Sequence, residues 1–179
     1  MYPDAPLMDV RVRRALNKAV DRDALNKAFF AGKGELLIVD PMHPTRPGWK
    51  DEWKAKFQDE YGYDPAKAKA LLAEAGYGPN KPLTTQMHVT PVPGLAGAED
   101  IEEAVAGYWR AVGVNVDLTP MDGNTVTPLA RQFKITNMST LVSTSAGEFV
   151  SMFYHSYADQ RGSNVEDPEA QVYNDQIYA

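Results

Sequence analysis

The sequence contains no cysteine, which excludes disulfide bonds and thiolate metal sites. It has no apolar run close to the ~18 residues that a membrane-spanning helix needs. Its opening residues, MYPDAPLMDVRVRR, hold no apolar segment of the kind found in secretory signal peptides. We therefore expect no direct membrane insertion and no signal peptide in the sequence as given.

Basic residues are scarce in one half of the sequence. Residues 1–94 carry 14 Lys and Arg against 12 Asp and Glu, whereas residues 95–179 carry 4 against 12, and the net charge is −6. A nucleic-acid-binding protein normally shows a concentrated basic face, so no nucleic-acid partner is predicted. The length of 179 residues, with 44% of them hydrophobic, favours one domain with one buried core.

The residue patterns of common enzyme sites are also missing. No GxSxG, GxGxxG or GxxxxGK[ST] motif occurs, and His43, His88 and His155 lie far apart without the HExxH spacing of a zinc site. His88 is instead expected in a strand, with an ordinary hydrogen-bond partner. Glu102 and Glu103 are neighbours in a predicted helix, so their side chains diverge, and both are expected to face solvent. The sequence predicts a protein that is not an enzyme and has no cofactor or metal site.

The clearest positive feature is a helix with both ends marked, YDPAKAKALLAEAGYG at residues 63–78. Asp64 is suited to cap its amino end, Pro65 to occupy its first position and Gly76 to end it. Between these residues one buried stripe is predicted at Ala68, Leu71, Leu72 and Ala75. We expect every residue of this helix to be structural.

Two further helices, or one kinked helix, are predicted within residues 9–32, with Asp9 and Asp21 as amino-terminal caps. The predicted inward faces are Val12, Ala15, Leu16 and Ala19 in the first helix, and Ala24, Leu25, Ala28 and Phe29 in the second. Three prolines and a glycine within residues 39–48 predict a surface loop. The Trp-rich segment 49–62 then predicts an amphipathic piece.

Strands and helices alternate in the rest of the chain. The patterns predict strands at 83–90, 114–120 and 134–143, with a helix at 98–113 and a short helix at 124–133 between them. The longer helix has a predicted inward face of Ile101, Ala104, Val105, Tyr108 and Val112. Such alternation is typical of an α/β domain, in which helices cover a sheet. Residues 148–157, EFVSMFYHSY, are apolar and aromatic enough for one more packed helix.

Small polar residues follow two of the predicted strands. Ser143, Thr144, Ser145 and Glu148 come at the end of the third strand and after it, and Thr90 comes at the end of the first. Ligands of open α/β sheets bind outside the carboxyl ends of the strands, where hydroxyl groups and backbone amides hold polar groups. These residues are therefore candidate ligand contacts, and a surface loop without a ligand is the alternative.

Three segments together resemble one protein family. DVRVRRALNKAVDR at 9–22, YDPAKAKALLAEAGY at 63–77 and AVAGYWRAVGVNVDL at 104–118 are similar, in the same order, to motifs of the family 5 extracellular solute-binding proteins. This family, of the oligopeptide, dipeptide and nickel type, delivers ligands to ABC importers. The motifs belong to the carboxyl-terminal lobe of a two-lobed clamp that closes on its ligand.

The resemblance implies that residues 1–179 are one incomplete lobe, without the first lobe and the closing carboxyl-terminal segments. The implied fold is a periplasmic-binding-protein-like (type II) α/β lobe, a mixed sheet with flanking helices. The implied function is capture of a peptide or other small polar solute in an interlobe cleft, with His43 added to the candidate ligand contacts. The implied partners are the membrane subunits of an ABC transporter, reached through a full-length protein that is periplasmic or extracellular and membrane-associated.

One departure from the family leaves the solute open. Peptide-binding members carry a Trp and an Asp in the loop after the third strand, where this sequence has STSAGE at 143–148. A sugar-like, opine-like or other polar solute is as compatible as a peptide. Two alternatives from other classes remain: a protein-interaction or dimerisation domain that uses the same lobe, and a small α/β hydrolase.

Overall fold

The computed structural model describes residues 6–36, 38, 49–89, 91, 97–122, 124–125, 128–129 and 138–139. After a 3₁₀-helical turn at Pro6–Met8, the elements in chain order are α1 (Val10–Lys18), α2 (Arg22–Phe30), α3 (Glu52–Tyr61), α4 (Pro65–Glu74), β1 (Thr84–Val89), α5 (Ala98–Ala111), β2 (Asn115–Pro120) and β3 (Met138–Ser139). None of the helices in these ranges has both the length and the apolar character needed to cross a membrane.

The three strands form a sheet in the order β2-β1-β3. Both pairings are parallel, with His88 of β1 opposite Thr119 of β2 and Ser139 of β3. Helix α5 connects β1 to β2, as parallel neighbours require a crossover. The predicted α/β class is confirmed, and the described part of the expected mixed sheet contains parallel pairs.

The hydrophobic core lies between the sheet and helices α1, α4 and α5. Its largest fully buried side chains are Val12, Leu83, Met87 and Val114. The predicted inward face of α1 is confirmed, because Val12, Ala15, Leu16 and Ala19 are all at most 3% exposed. The predicted stripe of α4 also faces this core, with Ala68, Leu71 and Leu72 buried and Ala75 half-buried.

The predicted helix caps are present. The carboxylates of Asp9, Asp21 and Asp64 each accept a hydrogen bond from a backbone amide in the first turn of the helix that follows. The donor is the second residue of α1 and the third residue of α2 and of α4, at 2.8, 2.9 and 2.8 Å. Gly76 has φ +88°, the left-handed conformation that favours glycine at the end of a helix. These signals were local in the sequence, and the structure uses them as predicted.

The charged residues at the start of α1 hold the end of α4. Arg11 makes a two-pronged ion pair with Asp9, and its Nη1 donates to the carbonyl oxygen of Glu74 at 2.7 Å. Glu74 is the last residue of α4, where carbonyl groups have no partner within the helix. The hydrogen bond from Arg11 lowers the pKa of Asp9 below its ordinary value.

Arg22, at the start of α2, holds the ends of two other helices. Its guanidinium donates to the carbonyl oxygens of Asn17 at 3.0 Å and Tyr61 at 3.3 Å, near the ends of α1 and α3. It also lies 5.3 Å from the centre of the Phe57 ring. Burial lowers the pKa of Arg22. The segment that resembles the family at 9–22 therefore has a structural role, since its residues join α1, α2, α3 and α4.

The predicted inward face of α2 was partly wrong. Ala24 and Leu25 are half-buried, whereas Ala28 and Phe29 are exposed, and no residue of α2 is buried. An open groove lies between the apolar residues of α2 and those of α5, so α5 does not cover the apolar side of α2 completely. Apolar spacing in the sequence therefore predicted the half-buried positions Ala24 and Leu25 but not the exposure of Ala28 and Phe29.

The predicted face of α5 was also displaced. Its buried residues are Ala98, Glu102, Ala106 and Trp109, followed by Val112, while Ile101, Ala104, Val105 and Tyr108 are half-buried. Glu102 was expected to face solvent and is instead 7% exposed, whereas Glu103 is exposed as predicted. The helix has apolar residues on two sides, and the side that is buried is the one with Ala98, Ala106 and Trp109.

Four other predictions fall wholly or partly outside the described residues. The surface loop at 39–48 and the helix at 148–157 lie outside them entirely. Of the short helix at 124–133, residues 124–125 and 128–129 are described and are helical. The third strand is represented by Met138–Ser139, which lies within its predicted range.

Candidate functional site

The carboxyl ends of the three strands lie at one edge of the sheet. Because both pairings are parallel, Val89, Pro120 and Ser139 end their strands side by side in the order β2-β1-β3. The amide of Met121 donates to the carbonyl oxygen of Val89 at 2.8 Å, so the pairing of β1 with the chain after β2 continues one residue further. Open α/β sheets bind ligands at this kind of edge. We call it the carboxyl edge.

A row of polar side chains leads to the carboxyl edge along one face of the sheet. Side chains two residues apart in a strand share a face, which places Gln86 with His88, and the parallel register places Thr119 beside His88. The Nε2 atom of Gln86 donates to Oγ1 of Thr119 at 2.5 Å. His88 is buried in β1, which confirms its prediction as a strand residue.

The turn after β2 brings a carboxylate to the same edge. Asp122 lies two residues beyond the end of β2, and its side chain is exposed. Its oxygens accept hydrogen bonds from the Thr125 amide at 3.0 Å and the Thr125 hydroxyl at 2.7 Å. These bonds, the hydroxyl first, lower the pKa of Asp122. The carboxylate is therefore held in its charged form within reach of solvent.

Sequence reasoning did not identify Thr119 or Asp122. The available signal was the alternation of Asn115, Asp117 and Thr119 in β2, which marks the polar face of that strand. Only the strand order and register show that Thr119 lies beside His88 of β1. A single strand pattern does not reveal which neighbour it pairs with. The contribution of β2 to the edge thus depends on tertiary structure.

The six predicted site residues, His43, Thr90, Ser143, Thr144, Ser145 and Glu148, lie outside the described residues. Thr90 directly follows Val89, the last residue of β1. The segment from Ser143 to Glu148 begins four residues after Ser139, the last residue of β3. Because β1 and β3 are neighbours, the described strands that precede these two candidate segments in the sequence end at adjacent positions on the carboxyl edge.

A separate cavity of about 560 Å³ lies beside α3. Among the described residues it is lined by Glu35, Leu36, Ile38, Trp49, Lys54, Phe57 and Gln58, none of which belongs to a strand. His43 belongs to the chain segment that joins Ile38 to Trp49, which makes it a neighbour in sequence of this cavity rather than of the strand ends. In the described part of the chain, no cluster of three metal-binding side chains occurs.

Comparison with known sequences identifies one family over nearly the whole chain. The family described as "Bacterial extracellular solute-binding proteins, family 5 Middle" matches residues 2–163. The chain is 37% identical over 115 residues to the dipeptide-binding protein of Escherichia coli, and 39% identical over 115 residues to heme-binding protein A of Haemophilus influenzae. Each match covers 63% of this chain and 20% of the relative, so the chain spans about a fifth of the length of these relatives.

Solved structures show the same fold. NikA from Brucella suis, solved in complex with Fe(III)-EDTA, is 21% identical with a TM-score of 0.68, over 96% of this chain and 35% of NikA. HbpA2 from Haemophilus parasuis is 28% identical with a TM-score of 0.59, over 78% of this chain and 26% of HbpA2. Both matches place the described helices and sheet within the fold of a much longer protein.

Proposed function

Because the chain belongs to the bacterial extracellular solute-binding proteins of family 5, we propose that it is a ligand-binding lobe of an ABC-importer solute-binding protein. Its role is to capture a peptide or other small polar solute in a cleft between two lobes. The chain is the carboxyl-terminal lobe in incomplete form, and it carries out no chemical reaction on the solute.

The observation that carries this proposal is the convergence of three strand ends at the carboxyl edge. Val89 and Ser139 end neighbouring strands, and the chain continues from them into Thr90 and into the segment 143–148. In this proposal the hydroxyl groups of Thr90, Ser143, Thr144 and Ser145 exchange hydrogen bonds with polar groups of the solute. Glu148 supplies a negative charge for a cationic group of the solute, and His43 is a further contact.

Asp122 adds to the case for a solute that carries a positive charge. Its pKa is lowered by the hydrogen bonds from Thr125, so the carboxylate stays ionised, and it is exposed close to the end of β2. A carboxylate that accepts an ammonium group forms a charge-assisted hydrogen bond, which is stronger than a neutral one. An amine-bearing solute such as a peptide therefore fits this edge, although the Trp and Asp of peptide-binding members are absent from the segment 143–148.

The other partners follow from the family. A full-length protein would present the loaded clamp to the membrane subunits of an ABC transporter, from a periplasmic or extracellular and membrane-associated position. One lobe alone supplies only part of the contacts and leaves the solute open to water, so the isolated chain should bind weakly.

Isothermal titration calorimetry with dialanine and with glutathione tests the proposal. We expect the isolated chain to bind with dissociation constants weaker than about 1 µM. Thr90→Val should weaken binding, whereas Thr84→Val, at the opposite end of the same strand, should leave it unchanged. Binding at micromolar affinity or tighter by the isolated chain, or an equal effect of the two variants, would contradict the proposed half-site.

A further inference from the structure

A largely apolar cavity opens at the end of the sheet opposite the carboxyl edge. Its volume is about 450 Å³, and the residues that line it belong to α4, α5 and the turns that lead from these helices to β1 and β2. We call it the distal cavity. Small-molecule sites in proteins have volumes of about 300–1,000 Å³, so this cavity has the size of a ligand site.

Backbone hydrogen bonds hold the walls of the distal cavity. Gly78 and Lys81 exchange two such bonds of 3.0 Å, and the amide of Tyr77 donates to the carbonyl oxygen of Leu72 at 2.9 Å. On the other side, Gly113 ends α5 in the left-handed conformation, with φ +96°. Because the main chain fixes these turns, the cavity is preformed, which lowers the cost of ordering it around a ligand.

The charged side chains at the distal cavity are positive. Lys69 of α4 and Arg110 of α5 line it, and none of its described lining residues is acidic. In the part of the chain that the structure describes, neither of these two cations pairs with a carboxylate. A third cation lies close by, since Nζ of Lys81 is 5.8 Å from the centre of the Tyr77 ring. The cavity therefore has a positive charge that its own lining does not neutralise.

Arg110 is held in a position from which it can bind an anion. Its Nη2 donates to the carbonyl oxygen of Val116 at 2.8 Å, which restrains the guanidinium. A guanidinium has five N–H donors, so further donors stay available to a ligand. Apolar groups lie beside it, because Leu72 and Val112 are buried and Tyr77 is half-buried in the same cavity. The lining thus combines an apolar surface with fixed donors for a negative group.

We propose that the distal cavity binds a small aromatic carboxylate. The carboxylate accepts charge-assisted hydrogen bonds from Arg110 and Lys69, and the rings contact Leu72, Tyr77 and Val112. An apolar cavity of about 150 Å³ holds one benzene ring, so about 450 Å³ accommodates a body of two rings together with its carboxylate. This site lies at the opposite end of the strands from the proposed solute site and does not depend on it.

NMR titration of the ¹⁵N-labelled chain with 2-naphthoate and with 2-naphthamide tests the proposal. The two probes share their rings, but only 2-naphthoate is charged at neutral pH. We expect 2-naphthoate to shift the amide signals of Leu72, Tyr77 and Gly113, and to leave those of Val89 and Met121 at the carboxyl edge in place. Its dissociation constant should be at least about tenfold smaller than that of 2-naphthamide.

Two pairs of variants in α4 locate the site. Lys69→Met removes a charge from the cavity and should raise the dissociation constant of 2-naphthoate about fivefold, whereas Lys67→Met, outside the cavity on the same helix, should leave it unchanged. Ala73→Phe places a ring in the cavity and should weaken binding at least about tenfold, and Ala70→Phe, at an exposed position outside it, is the control.

Three outcomes would overturn the proposal. Equal affinity for the two probes, or equal effects of Lys69→Met and Lys67→Met, would mean that the positive charges do not select an anion. Shifts centred on Phe57 beside α3, or on Phe29 in α2, would place the probe in another part of the molecule. Circular dichroism shows whether Ala73→Phe folds, and if it does not, the two lysine variants still decide the question.

Discussion

The indole nitrogen of Trp109 in α5 donates a hydrogen bond of 2.9 Å to the backbone carbonyl of Leu16 in α1. Leu16 lies in the last turn of α1, where carbonyl oxygens lack a donor from within the helix. Trp109 is 4% exposed, so this bond is formed away from water. One side chain thereby joins two of the segments that identify the family, although 93 residues separate them.

Replacing Trp109 with Phe tests the importance of this bond. The Leu16 carbonyl would stay buried without its donor, and a lost partner of this kind costs about 1–3 kcal/mol of unfolding free energy. Urea denaturation followed by circular dichroism measures the loss. Trp53→Phe, at a half-buried position in α3, is the matched control and should lower the unfolding free energy clearly less. Equal losses of unfolding free energy in the two variants would contradict a specific role for Trp109.

Arg22→Met tests the junction of the helix ends. The variant keeps an apolar stem beside Phe57 but removes the donors to the carbonyl oxygens of Asn17 and Tyr61, and we expect a loss of about 1–3 kcal/mol. Lys27→Met on the exposed surface of the same helix should change the stability by less than about 0.5 kcal/mol. Thermal melts of the two variants give the comparison, and similar melting temperatures would exclude the junction as a stabilising feature.

Gly76→Ala tests the left-handed end of α4. Alanine at φ +88° costs about 1–2 kcal/mol, even though the site has open space for a Cβ atom. Gly78 also has open space but is not left-handed, so Gly78→Ala should be neutral or slightly stabilising. Denaturant midpoints measured under the same conditions distinguish the two variants. Equal effects would show that φ is not the cause.

The Asp9 carboxylate predicts a change of stability with pH. Its pKa in the folded state lies below the ordinary value of 3.8, because Arg11 donates to it. The stabilisation is therefore complete above pH 3.8 and is lost as the pH falls through the lowered pKa. Asp9→Asn, which can still cap α1, should be less stable than the natural chain at pH 7, with a gap that narrows below pH 3.8. A gap independent of pH would contradict this linkage.

Local signals in the sequence predicted much of this fold. Asp9, Asp21, Asp64 and Gly76 each act on groups within a few residues, so their roles depend little on the rest of the chain. The alternation of helices and strands predicted the α/β class for the same reason. Where a prediction required a partner from elsewhere in the chain, the sequence was less informative.

Helix α5 shows why. Apolar residues occur on two of its sides, and only the position of the sheet determines that Glu102 is buried while Tyr108 borders the open groove between α2 and α5. The same holds for Thr119, whose place beside His88 depends on strand order. The candidate residues Thr90 and Ser143 to Glu148 were inferred from their positions after strands, and their role as ligand contacts stays a prediction.

The most direct test of the proposed function is an NMR titration of the ¹⁵N-labelled chain with dialanine and with glutathione, a method suited to weak binding. We predict that the amide signals of Val89, Thr119 and Met121 at the carboxyl edge shift progressively, while those of Thr84 and Asn115 at the opposite edge stay in place. Shifts centred on Trp49 and Phe57 beside α3, or an unchanged carboxyl edge at saturating concentrations of both solutes, would contradict a ligand site at the ends of the strands.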